Sequence, residues 1–489
     1  MTATTPTTSP VRDVPTEVLV DGRWRAATGG GTFEVVDPAT EETLCSVADA
    51  GPEDGEAALA AAHAAAPEWA RVAPRERAEL LRAAFETVTA RAEQLAALIT
   101  AECGKTLAES RAEVAYGAEF LRWFAEEAVR APGLLRRAPA GANQQLVHRR
   151  PVGPALLITP WNFPIAMATR KIGPALAAGC PVVIKPAQLT PLTTLAVAEI
   201  LRDELERRGL PAGVVNVVPT SSAGDVTGPL LADDRLRKLS FTGSTGVGRR
   251  LLAQAADQVL SCSMELGGNA PFVVFGDADL EAAVDGAAVA KLRNGGQSCV
   301  AANRFLVHES LATEFADRLG ARFADLTVGP GAEGNDVGPL IGADAVDSVH
   351  ALVADAVDHG ARVVTGGQRP AGPGYFYPPT VLADVARDAC CVHEEIFGPV
   401  APVVAFADDD EGIALANDTP YGLAAYAYTR DLDLAMRAAH ELDAGMIGVN
   451  RGMVSDASAP FGGTKQSGLG REGGEAGLEE YLETVYVAM

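Results

Sequence analysis

Short apolar runs alternate with Ala- and Leu-rich stretches from residue 154 onward. The first three apolar runs span 155–158, 182–184 and 214–218, and helix-like stretches at 165–178 and 192–208 separate them. Such an alternation of strands and helices predicts a parallel sheet that is covered by helices on both faces. Sheets of this kind bind their ligands beyond the carboxyl ends of their strands.

The alternation continues into the second half of the chain, where strand-like runs occur at 271–275, 305–307, 399–406 and 446–450. Before residue 154 the spacing of apolar residues predicts three helices, at 53–66, 74–102 and 107–131. The chain has 489 residues, which is too long for one simple core. We therefore expect two or three domains of α/β class.

Composition excludes several classes of partner. The net charge of −24 repels phosphate backbones, so we expect no nucleic-acid partner. An anionic substrate would also be repelled unless arginines or lysines reverse the field locally. No run reaches the roughly 18 apolar residues of a membrane span, so no membrane partner is expected. The Thr-, Pro- and Ser-rich residues 1–10 predict a disordered tail and no signal peptide.

The chain has seven cysteines, an odd number, and they are scattered along it. This pattern argues against a disulfide framework and favours a reducing compartment, so we expect a cytoplasmic protein. Neither the cysteines nor the seven histidines show metal-ligand spacing, and we expect no metal site.

One cysteine follows a break in a predicted helix. The helix-like run 280–293 is interrupted by Gly295 and Gly296, and Cys299 comes directly after them. We interpret Cys299 as a nucleophile that needs a base and an anion-stabilising group from other segments. The alternative is an inert buried cysteine, which is the usual state of a lone thiol. A second loop, 243–248, joins a strand to a helix and is either a phosphate site or only a tight turn.

Seven motifs are more specific than these patterns. They are TPWNFP at 159–164, KPA at 185–187, FTGST at 241–245, ELGG at 265–268, GQSC at 296–299, EEIFGP at 394–399 and PFGG at 460–463. In order and approximate spacing the chain resembles the aldehyde dehydrogenase superfamily over nearly its whole length.

The resemblance implies a fold of two doubly wound parallel-sheet domains, one for the cofactor and one for catalysis, plus a small β oligomerisation element. The implied limits are 1–132 and 152–262 for the cofactor-binding domain, 263–448 for the catalytic domain, 133–151 and 474–489 for the oligomerisation strands, and 449–473 for the joining segment. The alternating run 479–488 is typical of an edge strand, and a homodimer or homotetramer is expected.

The resemblance also implies the chemistry. Cys299 would attack the aldehyde carbon, and the Asn162 side-chain amide with the Cys299 backbone N–H would hold the resulting oxyanion. Glu265 would activate the water that hydrolyses the thioester, so we expect it to be partly buried with a pKa near the working pH. The presence of Glu265 disfavours a relative that passes the acyl group to coenzyme A. A catalytically inactive binding protein would be expected to lose one of these three residues.

The cofactor implied is NAD or NADP. The positions carried over for it are Thr159, Pro160, Trp161, Lys185, Gln188, Gly243, Ser244, Gly248, Glu265, Leu266, Glu395 and Phe397. Lys185 would meet the adenosine ribose and Glu395 the nicotinamide ribose, whereas Phe397 would meet the ring or be a core aromatic. NAD-preferring relatives usually have Glu where this chain has Gln188. A neutral amide removes the repulsion of a 2′-phosphate, so NADP is expected to be accepted.

Three polar residues point to the substrate. Arg170, Arg293 and Ser455 match the positions at which succinate-semialdehyde dehydrogenases hold the distal carboxylate of their substrate, and arginine suits that task. The alternative is that the two arginines form structural ion pairs. Arg451 would favour a longer acid, which keeps glutarate semialdehyde open. Ala301 stands where many relatives have a second cysteine, so no disulfide switch is expected there.

Overall fold

The computed structural model describes residues 11–489, and the tail predicted for residues 1–10 lies outside the described part. The strands are β1 (Val18–Val20), β2 (Arg23–Arg25), β3 (Thr32–Val36), β4 (Thr43–Ala48), β5 (Leu134–Arg137), β6 (Gln144–Pro151), β7 (Ala155–Ile158), β8 (Val182–Lys185), β9 (Val215–Val217), β10 (Lys238–Thr242), β11 (Ser261–Glu265), β12 (Ala270–Val274), β13 (Ala302–His308), β14 (Arg362–Thr365), β15 (Thr380–Ala383), β16 (Val400–Phe406), β17 (Tyr421–Gly422), β18 (Ala424–Tyr428), β19 (Met446–Val449), β20 (Thr464–Lys465), β21 (Gly468–Leu469) and β22 (Leu482–Ala488).

The α-helices are α1 (Pro52–Trp69), α2 (Pro74–Ala90), α3 (Ala92–Cys103), α4 (Leu107–Glu127), α5 (Pro164–Ala178), α6 (Leu192–Arg207), α7 (Ala223–Ala232), α8 (Thr245–Ala256), α9 (Leu280–Leu292), α10 (Glu309–Ala324), α11 (Ala343–Asp358), α12 (Cys390–His393), α13 (Asp409–Asn417), α14 (Leu432–Glu441) and α15 (Gly474–Glu479). The sequence predicted one helix over 74–102, but the structure divides it. Arg91, with φ −95° and ψ 16°, ends α2 and begins α3.

The first large sheet has the strand order β2-β1-β9-β8-β7-β10-β11-β21. Its five central strands are parallel, and the flanking strands β1 and β21 pair antiparallel to them. Successive residues of a strand point to opposite faces. Leu157 accordingly packs with the helices of one face, whereas Leu156 packs with those of the other. Both faces are therefore covered, as the apolar strands predict.

The second large sheet has the order β14-β15-β16-β13-β12-β18-β19. All its pairs are parallel except the one between β14 and β15 at the edge. Phe272 and Val273 on β12 again point into separate apolar clusters. The predicted α/β class with two doubly wound sheets is confirmed.

A third, three-stranded sheet has the order β22-β6-β5. Seven residue pairs, from Leu482↔Pro151 to Ala488↔Gln145, join β22 to β6 in antiparallel register. The two segments that the sequence assigned to oligomerisation thus form one sheet within the chain, and their contact with another subunit stays a prediction. Between residues 11 and 489 no helix combines the length and the apolar character needed to cross a membrane.

Candidate active site

A cavity of about 220 Å³ lies where the carboxyl ends of β7, β10 and β11 face loops of the second sheet. Its lining residues are Pro160, Trp161, Asn162, Met167, Thr242, Gly243, Ser244, Leu266, Gly267, Cys299, Glu395 and Phe397. Nine positions that the sequence assigned to catalysis or to the cofactor are among them. The structure therefore brings the predicted nucleophile, the predicted oxyanion donor and much of the predicted cofactor site into one cleft.

The loop before the nucleophile has an unusual backbone. Helix α9 ends at Leu292, and a short 3-10 turn then runs through Asn294, Gly295 and Gly296, whose φ angles are 55°, 60° and 79°. A Cβ atom on Gly296 would stand 2.2 Å from the carbonyl oxygen of Gly398. Only glycine fits there, which explains how the predicted break turns the chain toward the cavity.

Asn162 is held by polar groups on both sides. Its side-chain amide donates to the carbonyl of Gln297 at 3.0 Å. The backbone carbonyl of Asn162 accepts from Lys105 Nζ at 2.6 Å and from the side-chain amide of Asn294 at 2.9 Å. The amide thus faces the turn that carries Cys299, where an oxyanion donor would have to be. That Asn162 holds an oxyanion stays a prediction.

Cys299 is partly exposed at the cavity wall. Burial raises the pKa of its thiol to about 12, and the positive charge of Arg170 opposes that rise. At neutral pH the residue is therefore a thiol rather than a thiolate. A base is needed to remove its proton as it attacks.

Glu265 ends β11 and is 2% exposed. Neither carboxylate oxygen has a hydrogen-bond partner among residues 11–489. A Cβ atom on Gly462 would stand 2.9 Å from Oε1, so a glycine is needed beside it. Burial, followed by the negative charge of Glu472, raises the pKa of Glu265 well above its usual value. An unpartnered carboxylate with a raised pKa is suited to act as a general base.

Arg170 lies in a buried ion cluster. Its Nε is 2.5 Å from Glu472 Oε2, and Lys171 Nζ is 2.5 Å from the other oxygen of the same carboxylate. The Arg170 guanidinium also stacks on Phe461, with 3.9 Å between Cζ and the ring centre. Its Nη1 is buried and has no partner in the described chain. The ion pair was the alternative for this residue, and contact with a substrate stays a prediction.

Arg293 has different surroundings. Its Nη1 donates to Ser455 Oγ at 3.4 Å. Its Cζ lies 4.7 Å from the ring centre of Phe163 and 5.5 Å from that of Tyr116. Within residues 11–489 no carboxylate oxygen lies within 4.0 Å of it. The structure thus brings Arg293 and Ser455 together and leaves the arginine charge unpaired by any acid in that range.

The predicted cofactor residues lie at strand ends and at one helix N-terminus. Lys185 ends β8 and is 8% exposed, and burial lowers its pKa to about 8. The Glu395 carboxylate accepts from the Gly268 N–H at 3.3 Å, and burial raises its pKa to about 7. Ser244 is the N-cap of α8, and its side chain caps no N–H of that helix.

At two positions of the same region a neighbouring side chain lies so close to the backbone that only glycine fits. A Cβ atom on Gly248 would stand 2.3 Å from Leu266 Cδ2, and one on Gly243 would stand 2.5 Å from Phe241. The loop therefore keeps the backbone N–H groups at the N-terminus of α8 accessible to a phosphate. With the buried Lys185 and Glu395, these donors and acceptors fit a dinucleotide cofactor.

The remaining predicted cofactor positions surround that cleft. Phe397 has a φ angle of 50°, and its ring meets that of Trp161 edge-on, with 5.6 Å between ring centres. Thr159 is buried, and its backbone N–H donates to the carbonyl of Lys185 at 3.2 Å. Gln188 is exposed, so its side chain is free of the tight packing seen at Lys185.

Residues 24–487 match the model of the aldehyde dehydrogenase family. The chain belongs to this family. It is 58% identical to the succinate-semialdehyde dehydrogenase of Paenarthrobacter nicotinovorans, over 91% of this chain and 98% of that one. It is 48% identical to the glutarate-semialdehyde dehydrogenase of Pseudomonas aeruginosa, over 97% of each. The crystal structure of an NADP-dependent enzyme from Escherichia coli superposes with a TM-score of 0.95 at 45% identity, and 99% of each chain is covered.

The matches confirm the predictions that this chain is an aldehyde dehydrogenase, an oxidoreductase with the two-sheet fold. Sequence reasoning about this aldehyde dehydrogenase missed the groups that hold the Asn162 loop. Lys105 and Glu113 form a buried ion pair at 2.5 Å, and Glu113 also accepts from the Ile165 N–H at 3.0 Å. No local signal marks them, because Lys105 lies 57 residues from its backbone partner in the sequence.

Residues 11–489 contain no group of three or more His, Cys, Asp or Glu side chains that could hold a metal ion.

Proposed function

We propose that this aldehyde dehydrogenase oxidises succinate semialdehyde to succinate with NAD or NADP. The observation that carries the substrate assignment is the guanidinium of Arg293, which adjoins Ser455 and has no acidic partner in the described chain. An unpaired arginine beside a reactive cysteine provides the local positive charge that an acidic protein needs to bind an anionic aldehyde. The succinate-semialdehyde dehydrogenase named above supports the same substrate.

In the proposed reaction the sulfur of Cys299 attacks the aldehyde carbon while Glu265 takes the thiol proton. The Asn162 amide and the Cys299 backbone N–H stabilise the negative charge that develops on the aldehyde oxygen. When bound, the nicotinamide cofactor supplies the acceptor for the hydride that leaves this carbon. Before hydrolysis Glu265 loses the first proton to solvent. The carboxylate then removes a proton from a water molecule, and the water oxygen attacks the thioester carbon. The C–S bond breaks, the carboxylic acid is released, and the proton passes from Glu265 to the Cys299 sulfur.

Glutarate semialdehyde is the second candidate substrate. The glutarate-semialdehyde dehydrogenase relative supports it, and its distal carboxylate would extend one methylene farther from Cys299. Arg451 is exposed, and its charge reaches Asp456, so part of its field is already offset. This favours the shorter acid as the main substrate.

We also propose that the protein is a cytoplasmic homo-oligomer. All seven cysteines are free, which suits a reducing compartment. The third sheet exposes Leu134, Leu135 and Tyr486, which are 45%, 64% and 55% accessible. Strand β5 is also an open edge of that sheet, and exposed edges with apolar side chains favour pairing with another chain.

The test compares succinate semialdehyde, glutarate semialdehyde and propanal with each cofactor, in the wild type and in Arg293→Ala. We expect the substitution to lower kcat/KM for the acid semialdehydes roughly 30-fold or more, since a desolvated charge pair is lost. Propanal has no carboxylate, so its kcat/KM should change far less. Arg322→Ala is the matched control, because Arg322 is an exposed arginine paired with Asp285 at 3.4 Å.

Two results would contradict the substrate assignment. One is a wild-type enzyme that oxidises propanal as efficiently as either acid, and the other is an Arg293→Ala variant in which all three rates fall alike. Replacement by lysine separates charge from geometry: Arg293→Lys should restore part of the preference for acids, because the charge returns without the planar donors. The better of the two acids with wild-type enzyme identifies the substrate.

A further inference from the structure

Tyr116 lies on α4 at the edge of the site, and no role has been assigned to it above. Its ring packs edge-on against Phe120, with 4.9 Å between ring centres. The same side chain packs against the small apolar cluster that contains Phe163 and Met167. Met167 lines the cavity that contains Cys299. From helix α4, Tyr116 thus contacts the apolar cluster that contributes Met167 to the cavity of Cys299.

The hydroxyl of Tyr116 is buried and has no hydrogen-bond partner among residues 11–489. Burying a hydroxyl without a partner is unfavourable, and native structures rarely leave such a group unsatisfied. A bound molecule would satisfy it. The ring itself is anchored by the apolar contacts, so the hydroxyl is held in place before any ligand arrives.

Two guanidinium groups lie near this hydroxyl, and the charge of Arg170 acts on it more strongly than that of Arg293. The guanidinium of Arg293 lies 5.5 Å from the Tyr116 ring centre. Burial raises the pKa of the phenol, and the charges of Arg170 and Arg293 only partly offset the rise. At neutral pH the side chain is therefore a neutral O–H donor that faces cations.

Ser455 is a further donor beside Arg293. Its Oγ lies 3.4 Å from Arg293 Nη1. A guanidinium, a serine hydroxyl and a phenol can each donate to an anion, and a carboxylate offers about four lone-pair sites on two oxygens. A carboxylate thus has enough lone pairs to accept from all three groups, whereas a neutral alkyl end would leave the phenol unsatisfied.

We infer that the Tyr116 hydroxyl donates to the distal carboxylate of the semialdehyde, beside Arg293 and Ser455, and helps the enzyme select acid over neutral aldehydes. The inference rests on the proposed function, because it needs a substrate with a carboxylate at that end. The hydroxyl does not touch the reacting carbon in this arrangement. It determines specificity and takes no part in the chemical steps.

The experiment is Tyr116→Phe, which removes one oxygen and keeps the ring that packs against Phe120. We expect the ratio of kcat/KM for succinate semialdehyde to that for propanal to fall about tenfold, because a hydrogen bond to a charged group is lost. The change should appear in KM rather than kcat. The inhibition constant of the product succinate should rise by a similar factor, which measures binding without turnover.

Tyr377→Phe is the matched control, since that buried tyrosine pairs with His350 at 3.3 Å outside the cavity. Thermal melting of each variant shows whether it is folded, and the succinate inhibition constant can be measured on any folded fraction that is active. If Tyr116→Phe keeps the wild-type ratio and inhibition constant, the inference is wrong. It is also wrong if kcat falls equally for both aldehydes, because the hydroxyl would then act at the reacting carbon.

The two proposals fail in different ways. If wild-type enzyme shows no preference for acid semialdehydes, the proposed function fails before any variant is made. If the wild type prefers the acids and Arg293→Ala removes that preference while Tyr116→Phe does not, only the role of Tyr116 is excluded.

Discussion

Arg170 and Arg293 match the same functional pattern in the sequence, but the structure gives them different neighbours. Arg170 is completely buried, and its charge is paired with Glu472 at 2.5 Å. Arg293 is only partly buried, and aromatic faces and Ser455 surround it. An arginine that already has a carboxylate has little charge left for a substrate, whereas an arginine held by aromatic rings keeps its charge available.

The difference separates two groups of residues with different expected tasks. The buried group, Glu265, Glu472 and Lys171, would adjust the general base that we propose for every aldehyde. The open group, Arg293 and Ser455, can contact only an aldehyde that has a second polar end. A substitution in the buried group should therefore affect all substrates alike, and a substitution in the open group should affect acids most.

The largest effect is expected for Glu265→Gln. Without the carboxylate the thioester is not hydrolysed efficiently, and general base catalysis typically contributes about 10²- to 10⁴-fold. Succinate semialdehyde and propanal should lose the same factor in kcat. Rapid mixing should show that formation of the first equivalent of reduced cofactor is slowed as well as the steady state, because Glu265 also takes the thiol proton when Cys299 attacks.

A loss confined to the acid substrate would show that Glu265 belongs to substrate recognition, and the distinction between the two groups would fail. Glu475→Gln provides a control on an exposed glutamate of the following helix. It should behave as wild type in both the first turnover and the steady state.

The next effect concerns stability. Glu472→Gln leaves the guanidinium of Arg170 and the ammonium of Lys171 buried without their shared carboxylate. Removal of one partner from a buried ion pair typically costs about 3–5 kcal/mol. The thermal midpoint should fall clearly below that of the wild type, and it should fall far more than in Glu479→Gln, which breaks only an exposed pair with Arg149 at 3.8 Å.

An unchanged midpoint in Glu472→Gln would mean that the buried cluster contributes little. The ion pair between Arg170 and Glu472 would then be too weak to keep Arg170 from binding a substrate carboxylate. The contrast between the two arginines would lose its physical basis.

The sequence was sufficient for the sheets because parallel strands buried on both faces give continuous apolar runs. The runs that became β7, β8 and β9 show this. It also placed Cys299 after a break in a helix, and the structure has that break at the turn of Gly295 and Gly296 beside the cavity. These signals are local, so they can be recognised without knowing the fold.

The sequence could not distinguish Arg170 from Arg293, because the carboxylate that pairs with Arg170 belongs to Glu472, far away in the chain. The ion pair of Lys105 with Glu113 was missed for the same reason. Its lysine donates to the backbone carbonyl of Asn162, which is far away in the sequence. Charges become interpretable only when the fold shows which of them are already paired.

The smallest expected effect is a displacement of the pH profile. Burial and the negative charge of Glu472 raise the pKa of Glu265, while Arg170 and Lys171 oppose the rise. A base works only when it is deprotonated, so kcat should be lost as the pH falls through this raised pKa, above the range of an ordinary glutamate. In Glu472→Gln one negative charge is gone and two cations remain, so the pKa of Glu265 must fall. The acid limb of the profile should then move to lower pH.

The same displacement should be seen with succinate semialdehyde and with propanal, because the base serves both. Arg293→Ala should leave the acid limb where it is, since a guanidinium does not titrate in this range and Arg293 is absent from the charges that dominate the pKa of Glu265. The measurement is kcat between pH 5 and 9 for the three proteins, under conditions in which hydrolysis limits turnover. A limb that moves in Arg293→Ala but not in Glu472→Gln would reverse the assignment of the two groups, because the open group would then control the base.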